Sequence, residues 1–259
     1  VKVRRIWINV IKCPGCGEEY ESLVTGSDEP WKCYRCGFIF GESSKPIPKQ
    51  FWMKKRVEAL KCDGCGKPIP CTPKNMIALP IPAVACPECR EPSKAGLWAQ
   101  HLIGLRYRGK WRKPGFFMKK RGADGLLPAR SVRDRVAAFL LANTVRLNEY
   151  SAIRPSHVFE KEVYVKLLWV KGELAGFYTY TIDGWWMMPC MHMIAVRSEY
   201  RRKGYGMLMI KDFLSSFPGD VGFESPNNIV CEILVKLGEV EKTDNEYHTK
   251  GRVHFMSGF

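Results

Sequence analysis

Four C-x-x-C pairs, using eight of the eleven cysteines, constrain this chain more than any other feature. They fall into two doublets. Cys13 and Cys16 precede Cys33 and Cys36 by 16 residues, and Cys62 and Cys65 precede Cys86 and Cys89 by 20. One pair sets two thiolates on one side of a metal, and two pairs complete a tetrahedral four-sulfur site for which zinc is the expected ion. Glycine follows the second cysteine in three of the four pairs, which suits a tight turn whose amides point at sulfur and where a Cβ would crowd the ligand. Neither segment is large enough to bury a core alone, so metal is expected to supply much of the folding free energy of two small zinc ribbons. Iron–sulfur or redox use is the alternative, and it fits the symmetric doublet less well. Cys71, inside the second loop, is either spare or a substitute ligand.

No apolar leader follows the opening "VKVRR", and no long apolar run is present to span a membrane. With most cysteines in metal-type pairs, the expectation is a reduced, cytoplasmic protein. The charge is uneven. Residues 1–127 hold 24 Lys and Arg against 11 Asp and Glu, whereas residues 128–259 hold 17 against 15. The front half therefore attracts polyanions and the back half is near neutral, although a basic surface also serves solubility alone. "GESSKPIPKQ" (41–50) reads as a connector. "LRYRGKWRKPGFFMKKRG" (105–122) carries eight basic residues, the aromatics Tyr107, Trp111, Phe116 and Phe117, and no acid. That mixture suits phosphate and base contacts. It equally suits a strand with its rings in the core, and "GFFMKKR" reads that way.

From Ser131 the pattern changes. "SVRDRVAAFLLANTVRLNEY" reads as an N-capped amphipathic helix. "EVYVKLLWVKGELAGFYTYTIDG" reads as a hairpin turning at 171–173, and "WWMMPCMHMIAVR" as a strand with Pro189 at a bulge or edge. "GMLMIKDFLSSF" and "NNIVCEILVKLG" read as helices around a short strand, "DVGFES". "EVEKT" and "RVHFMSGF" offer two closing strands. The fold class is α+β: a mixed, mostly antiparallel central sheet flanked by helices, preceded by the two ribbons. The expected boundaries are 1–50 for the first ribbon, 51–100 for the second, 101–125 for a basic aromatic linker or first strand, and 126–259 for the last domain.

Between strand and helix stands "RRKGYG". Gly204 and Gly206 allow close backbone approach, the helix that follows presents free amides, and Arg201 and Lys203 add charge, which together make a cradle for a pyrophosphate. Arg201 to Gly206 resembles the Q/R-x-x-G-x-G/A signature of the GNAT superfamily of acyl-CoA-dependent N-acyltransferases. The lead-in "IAVRSEY" and the later "SPNNIVCEILVKLG", with Asn227 eleven residues before Gly238, are similar to its flanking segments. The resemblance covers roughly the last 130–160 residues. It implies acetyl-CoA or another acyl-CoA as donor, with Ile194 and Val196 bonding the pantetheine arm. It places the pyrophosphate on Arg202, Lys203, Gly204, Tyr205 and Gly206, beside Arg201 and Asn227. It also implies a gap between 191–196 and 222–225.

A tyrosine that serves many members as general acid is replaced here by Leu234, so an acid would come from Tyr247 or Tyr205. Glu224 and His192 are the candidate bases, His192 standing equally as a satisfied strand histidine. Cys190 and Cys231 sit in apolar settings and read as packing residues. Asn227 and Tyr247 complete the candidate catalytic set. The expected function is acyl transfer to an amine of a nucleic acid, or of a protein bound to one, docked by the ribbons and residues 105–121. A Mom-like DNA-modifying enzyme is one possibility within it. The alternatives are a protein acetyltransferase whose ribbons hold a protein partner, and a non-catalytic zinc-dependent nucleic-acid binder.

Overall fold

The computed structural model describes residues 3–21, 30–41, 45–72, 76–77, 79–87, 89, 102–145, 156–182, 187–244 and 246–256. The expected helical residues 146–150, connector residues 42–44 and residues 90–100 of the second ribbon lie outside these. The chain divides into two compact units, Val1–Cys89 with Ile103–Trp111, and Arg90–Leu102 with Arg112–Phe259. No described helix is long and apolar enough to cross a membrane.

In the first unit, β1 (Val3–Lys12), β2 (Glu19–Tyr20), β5 (Trp52–Lys61) and β6 (Pro68–Pro70) form one four-stranded sheet in the order β2-β1-β5-β6. The strand leading into the first cysteine doublet thus pairs antiparallel with the strand leading into the second, from Val3↔Leu60 to Ile11↔Trp52. β3 (Trp31–Lys32) pairs with β4 (Ile39–Gly41). A second four-stranded sheet runs β10-β9-β8-β7, from β7 (Met76–Ile77), β8 (Ala83–Ala85), β9 (Leu102–Tyr107) and β10 (Lys110–Arg112). Each doublet has a small core of its own. Ile11 and Phe40 surround Cys13 and Cys33, while Leu60, Ile69, Val84 and Trp111 surround Cys62 and Cys86.

Residues 105–121 are structured. Arg108 and Gly109, both at positive φ, turn β9 into β10. Trp111 is buried and gives its Nε1–H to Glu58 at 3.0 Å, and Phe117 is buried as well. Both are core residues and present no stacking surface. "GFFMKKR" is not a strand: Pro114 fixes φ at the first position of a short 3-10 turn, Pro114–Phe116, and an isolated bridge pairs Lys119 with Glu173. Phe116 lies between the guanidinium groups of Arg112 and Arg133, at 4.9 and 4.5 Å.

The second unit has a six-stranded sheet in the order β11-β12-β13-β14-β15-β18. Its strands are β11 (Gly125–Pro128), β12 (Tyr164–Val170), β13 (Glu173–Thr181), β14 (Cys190–Val196), β15 (Val221–Glu224) and β18 (Val253–Met256). The first four are antiparallel neighbours, and β14, β15 and β18 run parallel. Parallel neighbours need crossovers. These are α3 (Tyr205–Ser216) between β14 and β15, and α4 (Asn228–Lys236) with the hairpin of β16 (Val240–Thr243) and β17 (Glu246–Thr249) between β15 and β18. The other helices are α1 (Val132–Val145) and α2 (Ser156–Phe159). Ser131 caps α1 as the spacing predicts: its Oγ accepts from the amide of Asp134, whose carboxylate accepts from the amide of Ser131.

A packed core of Tyr178, Met191, Met209, Phe213, Phe223 and Leu234 joins the sheet to α3 and α4. Asp212 of α3 accepts from the buried Tyr178 hydroxyl and pairs with Lys166 at 2.7 Å, so the helix is also tied to β12 and β13 by polar contacts. Gly176 sits opposite Val196 on β14, and a Cβ there would fall 2.7 Å from the carbonyl oxygen of Ala195 and 3.2 Å from Met209 Cε. Gly176→Ala is therefore expected to lose about 1–3 kcal/mol of stability, as overpacked sites do. The urea midpoint measures it, and an unchanged midpoint would contradict the tight approach of β13 to β14.

Candidate active site and metal centres

The turns within the cysteine pairs repeat one geometry. The amide of Gly17 bonds the carbonyl of Cys13 at 2.9 Å, that of Gly37 the carbonyl of Cys33 at 2.9 Å, and that of Gly66 the carbonyl of Cys62 at 3.0 Å. These glycines have φ of 74, 76 and 74°, and a Cβ on any of them would meet nothing within 4 Å. Their requirement is left-handed backbone and not room beside sulfur. Crowding occurs two residues earlier. A Cβ on Gly15 would lie 3.3 Å from Cys36 Sγ, and one on Gly64 would lie 3.1 Å from Cys89 Sγ.

The Sγ atoms of Cys13, Cys16, Cys33 and Cys36 all lie within 4.8 Å of one another, as do those of Cys62, Cys65, Cys86 and Cys89. Cys13–Cys36 and Cys16–Cys33 are 3.5 Å apart, and Cys62–Cys89 and Cys65–Cys86 are 3.6 Å apart. Disulfides would be ~2.05 Å. A tetrahedron of ~2.3 Å zinc–sulfur bonds has edges of about 3.8 Å, so both sets fit zinc. Burial opposes ionisation of Cys33, but the Tyr20 hydroxyl and the amides of Cys36 and Arg35 outweigh it and bring the thiol down to about 6. At Cys62 burial is likewise outweighed, here by the amides of Cys65 and Gly64, giving about 7. Cys71 belongs to neither set. Burial, helped by Glu58, pushes its thiol up to about 11.

In the second unit the site begins where two parallel strands part. β14 pairs with β15 at Cys190↔Gly222 and Met191↔Phe223 and no further. Beyond that point β14 stays with β13 up to Gly176↔Val196. β15 stays with β18 up to Glu224↔Met256, and the amide of Ser225 bonds the carbonyl of Met256 at 2.8 Å. The β15-facing edge of Met193–Val196, which contains Ile194 and Val196, is left without a strand partner.

A bulge sits at this fork. Thr179 faces Met193 and Tyr180 faces Met191, so His192 is the extra residue of β14. The irregularity lies there and not at Pro189, whose carbonyl accepts from the amide of Gly222 at 2.8 Å. Bulges re-aim side chains. His192 Nδ1 lies 2.5 Å from Glu224 Oε2, and its Nε2 lies 2.9 Å from Thr181 Oγ1. A carboxylate only accepts, so Nδ1 donates to Glu224, while Nε2 shares a hydrogen bond with the Thr181 hydroxyl. Both His192 and Glu224 are partly exposed. Thr181 escaped the sequence reading because nothing local marks a threonine at a strand end as a partner of a histidine eleven residues on.

β14 runs through a 3-10 turn, Ser198–Tyr200, into the glycine turn and α3. Arg202 and Gly204 both take positive φ, 57 and 81°. The first backbone bond into the helix is from Leu208 N to Gly204 O at 2.9 Å, and no side chain caps the end. The amides of Tyr205, Gly206 and Met207 therefore lack intrahelical partners. A Cβ on Gly204 would meet nothing, so this glycine serves backbone conformation. Gly206 has a different cause: a Cβ there would lie 3.3 Å from Ile233 Cδ1, so it serves the packing of α3 on α4. Arg201 Nε donates to Val196 O at 3.0 Å and Lys203 Nζ to Glu199 O at 2.8 Å, folding both cations back over the turn.

Asn227 caps α4, its Oδ1 accepting from the amide of Val230 at 3.0 Å. Leu234 is fully buried in the core. Tyr247, on β17, gives its hydroxyl to Glu232 of α4 at 2.9 Å, and burial together with that carboxylate raises its pKa. No described contact joins it to His192 or Glu224. Cys190 is buried, its thiol pushed up to about 12 by burial and then by Glu224, and Cys231 is buried and raised as well.

No protein-family model matches the sequence. Among solved structures, the chain is similar to an aminoglycoside acetyltransferase from an uncultured soil metagenomic sample, at 13% identity and a TM-score of 0.35, over 49% of this chain and 95% of that one. An integron cassette protein from the mobile metagenome of V. cholerae gives 17%, 0.34, and 50% and 94%. A possible acetyltransferase from Clostridium difficile 630 gives 18%, 0.34, and 49% and 96%. Likeness of this size leaves the chemistry to the site itself.

Proposed function

We propose that the second unit is an acyl-CoA-dependent N-acyltransferase and that its acceptor is an amine of a nucleic acid or of a protein bound to one. The parting of β14 from β15, directly ahead of an uncapped helix entered through a glycine turn, carries the reading. A gap with one strand edge lacking a strand partner accepts an extended amide-bearing arm as a strand accepts a neighbour. The turn's left-handed residues and free amides, with Arg201, Arg202 and Lys203 beside them, suit a pyrophosphate. The signature running from Arg201 to Gly206, which resembles that of GNAT enzymes, supports the same pairing of parts. Asn227, with its oxygen used in the cap, has its amide nitrogen left for the donor.

The donor supplies a thioester, and the protein's first contribution is to hold it beside the amine. The amine nitrogen attacks the carbonyl carbon, the C–N bond forms, and the C–S bond breaks to release CoA thiolate. Glu224 takes the proton lost by nitrogen, while His192, fixed between Glu224 and Thr181, positions the carboxylate. Leu234 offers no proton, and CoA thiolate leaves acceptably without one. The acceptor class is supported by the 24 Lys and Arg against 11 acids in residues 1–127.

Calorimetry with acetyl-CoA tests the cradle. Gly204→Glu places a carboxylate at the helix entrance and is expected to weaken binding at least about tenfold. Gly204→Asn, which tolerates the left-handed backbone, is expected to retain it. Equal binding in a folded Gly204→Glu variant would remove the cradle. Mass measurement of single-stranded DNA, transfer RNA and basic protein after incubation with acetyl-CoA identifies the acceptor.

A further inference from the structure

The face of the β1–β5 ladder holding Trp7 carries the feature that the proposed chemistry leaves unused. Residues paired across an antiparallel ladder share a face, and alternate residues share it along each strand. Val3, Arg5, Trp7, Asn9 and Ile11 therefore stand on the same side as Leu60, Glu58, Arg56, Lys54 and Trp52. At each end of this face one residue of the terminal pair is buried, Ile11 in the core of the first cysteine set and Leu60 in that of the second. The middle is open, with Trp7 65% exposed.

A single exposed ring is ordinary on a protein surface. What distinguishes Trp7 is its surroundings. Trp7 is directly paired with Arg56, and the neighbouring pairs are Arg5↔Glu58 and Asn9↔Lys54. Arg5, Lys54 and Arg56 form no ion pair among the described residues. Glu58, the acid of this face, is half-buried and accepts from Trp111 Nε1. On the opposite face the contrast is direct, with Lys55 neutralised by Glu19 and Val10 and Ala59 buried. Trp52, 40% exposed, adds a second ring four residues along β5 from Arg56, ~13 Å away by strand rise.

We infer that this face, centred on Trp7 and flanked by Arg5, Lys54 and Arg56, binds single-stranded nucleic acid. The cations take the phosphates and Trp7 stacks on an unpaired base. Duplex bases have no free face to offer the ring, which is why an unpaired strand fits better. The inference deepens the proposed acceptor class by naming where it docks, and it rests on that reading only for the acceptor. The two metal sets act at a distance, since each buries one end of the ladder and so keeps the strands in register.

The test is fluorescence anisotropy of the full zinc-loaded chain with a labelled dT oligonucleotide, its duplex form and an acidic peptide as probes. The oligonucleotide is expected to bind with a log–log salt slope of about −2, as three phosphate contacts give on a single strand. Trp7→Ala is expected to weaken binding roughly 5- to 100-fold, Trp7→Phe much less, and Arg56→Glu at least about tenfold. Two zinc ions per chain and unaltered acetyl-CoA affinity in each variant establish that folding is intact. Binding by the parent chain that is unchanged in Trp7→Ala and Arg56→Glu sinks this face but leaves the acceptor class standing. No binding to any nucleic acid sinks both. Tighter binding to duplex or to the acidic peptide overturns the single-strand assignment.

Discussion

Stripping zinc is expected to unfold the cysteine-bearing unit. Apparent binding energies of structural four-ligand sites are about 10–16 kcal/mol, and in small modules that energy is folding energy. The comparison of cores shows why this unit depends on it. Among the described residues, the buried cluster around Cys13 and Cys33 adds only Ile11 and Phe40 to the sulfurs, whereas that of the second unit spans the sheet, α3 and α4. Chelation should expose residues 1–89 to protease while residues 112–259 stay resistant. Cys33→Ser and Cys62→Ser should each reduce bound zinc from two ions to one, because both sulfurs are buried and each belongs to a separate set. Protease resistance of residues 1–89 in zinc-free protein would refute the dependence.

The second large effect concerns the fork. Glu224→Gln keeps the shape and a contact to His192 but cannot take a proton, so kcat is expected to fall about 10²–10⁴-fold. Acetyl-CoA affinity should not change, because the cradle lies on the α3 turn. His192→Gln should cost less, since its part is to hold the carboxylate. The residual rate of Glu224→Gln also reports on the acceptor. An alkyl ammonium with pKa ~10.4 must lose a proton before attack, so its rate would climb about tenfold per pH unit below that value. An exocyclic base amine is already neutral, and the expected result is a flat residual rate between about pH 7 and pH 9. Full activity in Glu224→Gln would dismiss it as the base.

Much of the architecture was legible because its causes are local. Ser131 ahead of a periodic apolar run announces a helix start, and Lys171–Gly172 turns a hairpin with both residues at positive φ. β17 was missed because "EYHT" is short and polar, becoming a strand only by pairing with β16. Trp111 and Phe117 were ambiguous because basic and aromatic composition is the same for a binding stretch and for a buried strand. Burial decided between them. Gly206 shows the same limit: its place in the turn marked it for ligand approach, but Ile233, 27 positions on, supplies the physical reason.

By itself, then, the sequence determined the features whose physics is contained in a few consecutive residues. These are the cysteine spacing that makes four sulfurs converge, and the glycine turn that leaves helix amides free. Only the tertiary structure decided which distant groups meet. His192 and Glu224, 32 residues apart, touch because a parallel register aligns their strands and a bulge turns one side chain toward the other. Trp7 and Arg56 share an open face because a long antiparallel pairing joins the strands leading into the two metal sets. Those outcomes depend on strand register, which no short stretch of chain encodes.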